Sequence, residues 1–314
     1  MNLRLAILSL VAKYELSAEA GAELKQMADL GAAPPSLSRQ LPLGMAILGA
    51  TLGGLGILFW IAANWESLSR FGRFALLQAT LICMLLGALR RPSAQVSLSL
   101  LGFVACGGLF AYFGQTYQTG ADPWQLFALW ATLTLPLCLG VRHDVLWTAW
   151  ATVALTAALL WSRTDAGFNS YHSTLGCWMP ALALVFAFRF IPTTVTGAGL
   201  WPMRLCMIYA AIGMATTALM GLIGNERNGI YLITLVAVGA LAYAFSLRQL
   251  FDVFVISALG LSANVLLVAG FAWLLLHDSR GIETGTVLLI GCVAAGLLAG
   301  TVKLIMHLTR AHMT

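Results

Sequence analysis

Long apolar runs broken by short polar joints govern the chain from residue 42 onward. A segment needs about twenty mostly apolar residues to cross the hydrocarbon of a bilayer. Ten stretches are candidates, with approximate limits 42 to 62, 72 to 89, 95 to 113, 124 to 140, 145 to 161, 174 to 190, 203 to 223, 230 to 247, 251 to 276 and 284 to 308. In lipid every backbone polar group has to be bonded within the protein, so such runs read as helices. Several are short, and the fourth and fifth are joined only by Val141 to Asp144, which predicts a tight hairpin. The expected fold is all-α: a polytopic transmembrane helix bundle of about ten spans, with a short cytosolic N-terminal helical hairpin.

A different periodicity marks residues 1 to 41 as an amphipathic extension, separate from the multi-span domain of residues 42 to 314. Leu3, Ile7, Leu10, Val11 and Tyr14 recur at helical spacing, as do Ala20, Leu24 and Met27. Ser17 is placed to cap the second run, and Gly31 followed by Pro34 and Pro35 ends it. Two short helices are expected, either packed on the cytosolic ends of the spans or docking a protein partner. The opening MNLRLAILSLVAK is interrupted by Arg4 and lacks a small-residue cleavage site, so it is expected to be retained.

Composition agrees with the pattern. Of 314 residues, 60% are apolar and 9% charged, and the mean hydropathy is +0.87, against roughly one quarter charged in a soluble domain. The bilayer is the expected partner. The net charge of +5 does not point to nucleic acid, because the 17 Lys and Arg residues sit at segment ends and not in a stripe. In the ten-span reading twelve fall on one side, including Arg39, Arg90, Arg142, Arg189 and Arg204. The other side holds five: Arg70, Arg73, Arg163, Arg227 and Arg280. Both termini are therefore expected to be cytosolic. Six cysteines each stand alone in an apolar run and read as reduced packing residues.

No Asp, Glu, Lys, Arg or His falls near the middle of a predicted span, where ion-coupled pumps place a group that binds and releases charge. Asn264 and Gln78 are the strongest polar groups inside, and each either bonds across helices or lines a path. Gly49 with Gly53 and Gly296 with Gly300 form GxxxG spacings that predict close helix packing. Pro136 and Pro180 fall inside spans and are expected to kink them.

The densest polar patch beyond the N-terminus is Gly114 to Trp124, GQTYQTGADPW. Asp122, Pro123 and Trp124 make a good helix start: a carboxylate for free N–H groups, a proline for the first turn, and an indole for the headgroup level. That start does not account for Gln115, Tyr117, Gln118 and Thr119 just before it, with Gly114 and Gly120 to fold a tight loop. Donors and acceptors converging on one carboxylate orient a polar ligand, although a loop bonded to itself would show the same density. The first outer loop adds Asn64, Trp65 and Glu66, and Glu66 is spaced to pair with Arg70. The candidate ligand-binding set is thus Asn64, Glu66, Gln115, Tyr117, Gln118, Asp122 and Trp124. His172, and His277 with Asp278, read as solvated loop groups. No spacing supports a metal site, no cofactor is expected, and no motif assigns a catalytic residue.

The segments GGLGILFWIAANW and GQTYQTGADPWQLFALWATLTLPL together resemble a bacterial family of predicted membrane proteins catalogued as domain of unknown function 2157. The likeness covers about residues 1 to 140, including the helical N-terminus that precedes these segments. It implies a polytopic protein of the bacterial inner (plasma) membrane and supplies no activity, substrate or site residue. Three functions are compatible with these features: binding or transport of a small polar or lipid-linked ligand at an outward-facing site, a non-catalytic membrane scaffold or assembly partner, and an envelope enzyme acting at the outer leaflet.

Overall fold

The structure is a computed structural model that describes residues 13–14, 17, 19–20, 23, 35–63, 67–117, 120, 122–164, 176, 178–223, 228–276 and 284–313. Every regular element among them is helical, so the chain forms the expected helix bundle. It divides into two compact units, Met1–Trp60 and Ile61–Thr314.

In the first unit the hydroxyl of Ser17 accepts from the Ala20 N–H at 3.2 Å, as its capping position predicts. Helix α1 (Pro35–Ala63) runs 29 residues, with Pro42 inside it, and takes in the first expected span. Gly49 and Gly53 have no described atom within 4 Å of where a Cβ would stand.

The second unit begins with α2 (Arg70–Arg90), α3 (Gln95–Tyr117), α4 (Pro123–Val141) and α5 (Asp144–Thr164). There follow α6 (Met179–Phe190), the single turn α7 (Thr193–Thr196), α8 (Trp201–Ile223), α9 (Asn228–Ser246), α10 (Val253–Leu276) and α11 (Thr284–Met313). Among the described residues, eight of these helices are long and apolar enough to cross a membrane: α2 to α5 and α8 to α11. Each coincides with an expected span. Helix α6, at the sixth, has 12 residues, about 18 Å at 1.5 Å per residue and so shorter than a hydrocarbon core of about 30 Å. Pro180 does not kink it. It lies in the first turn of α6, where no intrahelical partner is waiting for the missing N–H; Pro136 is inside α4 as expected.

Helix α8 is the centre of the unit and packs against α5, α6, α9 and α10. Small and pliable side chains make that possible: Cys206, Met207, Ala210, Ala211, Met214 and Ala218 are buried along one broad face, while Ile212 and Met220 on the other side are exposed. The second packing zone lies between α3, α4 and α5, around Phe103, Ala131 and Val153. Two indoles tie it together. Trp130 Nε1 donates to the Phe103 carbonyl at 3.0 Å, and Trp150 Nε1 donates to the Ala131 carbonyl at 2.7 Å. The Trp130 ring lies so close to Gly107 that no side chain fits there.

Two expectations about the interior divide. The Asn264 amide does bond across helices, its Oδ1 accepting from Thr301 Oγ1 of α11 at 2.9 Å. Gly296 and Gly300, by contrast, have no described atom within 4 Å of where a Cβ would stand. The close approach of α10 and α11 is made at Gly260, where an added Cβ would meet Thr301 Cγ2 at 2.9 Å. The tight face of α11 is therefore the one bearing Thr301. Gln78, the other amide singled out, is exposed on α2.

Candidate functional site

Three helix ends converge in the second unit: the start of α2, the end of α3 and the start of α4. Ser69 caps α2, its hydroxyl accepting from the Gly72 N–H at 3.2 Å. Helix α3 continues through Tyr117, so Gly114, Gln115 and Tyr117 form its last turn and not the loop expected of them. The reason is aromatic packing. Phe113 and Tyr117 are four apart and pack at a tilt with their ring centroids 4.6 Å apart, and Phe74 of α2 meets Tyr112 at 4.6 Å, Tyr117 at 6.0 Å and Phe113 at 6.4 Å. Such contacts stabilise a helical turn by holding its i and i+4 residues together. Tyr112 also donates from its hydroxyl to the Arg70 carbonyl at 3.5 Å. Of the two glycines expected to bend the loop, only Gly120 does so, at φ +64°; Gly114 is helical and faces Leu126 of α4 at 3.9 Å.

On this aromatic floor lies Arg70. Its guanidinium carbon is 4.3 Å from the centroid of the Tyr117 ring, within cation–π range. Arg70 and Gln115 are exposed, and Tyr117 is half exposed. Among the described residues, no hydrogen bond or ion pair engages the Arg70 guanidinium. Residue-type reasoning cast Arg70 as a topology charge and a partner for Glu66 and missed this stack. The i, i+4 spacing of Phe113 and Tyr117 hints at a helical turn, but the contact with Arg70 comes from a separate helix and has no mark in the sequence.

Asp122 holds the N-cap position of α4 with extended backbone, φ −63° and ψ 146°, and Pro123 follows in the first turn. The expected cap by its carboxylate is not made. The main chain takes that role instead, the Asp122 carbonyl accepting from the Gln125 N–H at 3.0 Å. The carboxylate is left exposed, and Trp124 beside it is partly buried. Gln115, Tyr117, Asp122 and Trp124 thus stand at one end of the α2, α3 and α4 group. Asn64, Glu66 and Gln118 lie outside the described residues, as do Trp65, Thr119, His172, His277 and Asp278. Among the described residues no three His, Cys, Asp or Glu side chains gather where they could hold a metal ion.

The opposite end of the unit is organised differently. Asp252 caps α10, with Oδ1 accepting from the Val255 N–H at 3.0 Å, while Oδ2 accepts from Arg204 Nη2 at 2.9 Å and Nε at 3.1 Å. The Arg204 guanidinium is 5.5 Å from the rings of Trp201 and Phe254. Arg189 Nη2 donates to the Gln249 carbonyl. Asp144 Oδ1 accepts from the Gly199 N–H at 2.8 Å, and Trp147 Nε1 donates to the Thr196 carbonyl at 2.6 Å. These groups are committed to holding the α4–α5, α6–α8 and α9–α10 connections. Sequence reading passed over them because their partners lie 48 to 60 residues away.

No curated protein matches the chain, and no solved structure matches it. Residues 9–147, a little under half of the chain, match the model of the family described as predicted membrane protein (DUF2157), and that stretch takes in Arg70, Gln115, Tyr117, Asp122 and Trp124.

Proposed function

We propose that this membrane protein binds, or passes across the bilayer, a small polar or lipid-linked ligand at the converging ends of α2, α3 and α4. The observation that carries the reading is the Asp122 carboxylate: it occupies a helix N-cap yet makes no capping bond and stands exposed beside the last turn of α3. An exposed acceptor at the same end of the helices as an amide, a phenol and a guanidinium is the kind of polar set that orients a ligand. In this reading Gln115, Asp122 and the residues nearby from the preceding loops, Asn64, Glu66 and Gln118, line the site. The protein sits in a bacterial inner membrane with both termini cytosolic, so the site faces outward; the excess of Lys and Arg on the opposite side supports that orientation.

The test is to purify the full chain from membranes in mild detergent and identify by native mass spectrometry what travels with it. A bound small molecule or lipid species is expected in the wild type and is lost in Asp122→Asn and in Gln115→Ala. Equal retention in both variants contradicts the assignment of this site. Fixing the N-terminal helices as a docking element for a protein partner is the second reading, supported by the Ser17 cap, which begins a helical turn outside the spans. Removing residues 2 to 33 would then abolish capture of that partner and leave retention of the ligand intact.

A further inference from the structure

The chemistry of the ligand can be narrowed from Arg70. Resting on the ligand-binding reading above, we infer that the ligand carries a phosphate whose oxygens are taken by the Arg70 guanidinium, and that it is a phospholipid headgroup and not free phosphate. Three observations lead there. First, the guanidinium lies 4.3 Å from the Tyr117 ring. That ring is fixed in turn by Phe113 at 4.6 Å and Phe74 at 6.0 Å. A planar cation stacked on a ring loses little freedom when its N–H edge binds two oxygens at once, which suits phosphate or carboxylate and not a neutral sugar.

Second, no described acidic residue pairs with that charge. No acidic residue stands in the first turn of α2, Asp122 is not ion-paired with Arg70, and the ion pair among the described residues is Arg204 with Asp252 at the other end. Third, the surroundings are apolar. Phe71 is 84% exposed, and Phe113 and Tyr117 are 47% and 50% exposed. An anion bound here stands against exposed rings at the end of apolar helices, the depth of a headgroup phosphate. Asp122 then sets the rest of the headgroup: a carboxylate accepts from hydroxyl or amine and repels a second phosphate. A single phosphate bearing a hydroxyl- or amine-containing group fits both.

The experiment uses the full chain purified in mild detergent, with native mass spectrometry after exchange into mixed micelles of phosphatidylethanolamine, phosphatidylglycerol and diacylglycerol. Retention of either phospholipid over diacylglycerol by about tenfold or more is expected. Arg70→Ala should lose that preference, and Arg70→Lys, which keeps the charge without the planar fork, should keep only part of it. Full preference in Arg70→Ala overturns the inference. A retained ligand without phosphate also overturns it, yet leaves the ligand-binding reading standing; absence of any ligand that depends on Asp122 or Gln115 removes both. Displacement of the lipid by millimolar inorganic phosphate would keep the oxyanion and overturn the headgroup.

Discussion

Two aspartates of this chain occupy the same position in two helices and do opposite things. Asp252 begins α10 and commits both carboxylate oxygens, one to the Val255 N–H and one to Arg204. Asp122 begins α4 and, among the described residues, commits neither to a cap; its main-chain carbonyl accepts from the Gln125 N–H. Asp252 is 7% exposed, whereas Asp122 is exposed. A helix N-cap is therefore a place where a carboxylate is useful to the fold, not proof that the fold uses it. The end of the unit built on Asp252 is a set of closed joints. The end built on Asp122 presents its polar groups outward, on an aromatic base that holds them still.

The comparison is broken most forcefully at Asp252. In Asp252→Ala the Arg204 guanidinium loses its counter-charge and α10 loses its cap. Breaking a wholly buried pair costs roughly 3–5 kcal/mol. The Arg204 side chain is 24% exposed, so about 2–3 kcal/mol is expected here, read as a fall in unfolding free energy in detergent.

A smaller loss is expected where the rigid base of the Tyr117 end is disturbed. Gly107→Ala puts a methyl group into the Trp130 ring, and the ring has to shift and strain its bond to the Phe103 carbonyl. Overpacking of this kind costs about 1–3 kcal/mol. The same unfolding measurement checks it, and weaker ligand retention should accompany it if the α3–α4 contact positions the site. Below that comes Thr301→Val, which removes the donor to Asn264 Oδ1. Interhelical bonds of this type contribute about 0.6 kcal/mol on average in lipid, and a loss above about 2 kcal/mol would mean that Asn264 has a larger part in the bundle than one cross-helix bond.

These effects also show which features the sequence made legible. Apolar runs of span length marked α2 to α5 and α8 to α11, because in lipid a continuous apolar segment has helix as its available form. Ser17 was readable as a cap for a similar reason: the donor three residues on is fixed by local geometry. The extension of α3 through Tyr117 was not readable, since it depends on Phe74 from another helix. Pro180 misled because the start of a helix inside an apolar stretch leaves no mark in hydropathy. Of the candidate site, Gln115, Tyr117, Asp122 and Trp124 were singled out by polar density alone, and the structure describes all four at the ends of α3 and α4. Arg70 on Tyr117 needed the tertiary fold. So did Arg204 with Asp252, 48 residues apart, although an aspartate just ahead of the apolar run Val253–Leu276 was in itself a cap signal.

The most direct measurement is the smallest effect of all. Asp122→Asn, in ligand-free detergent, should leave the unfolding free energy of the full chain within about 0.5 kcal/mol of the wild type, as a substitution at a surface position without partners does. Asp252→Asn, measured beside it, should be destabilised well beyond that margin. A comparable loss in both variants would mean that the Asp122 carboxylate is part of the fold, and would contradict the account of a free acceptor waiting for a ligand.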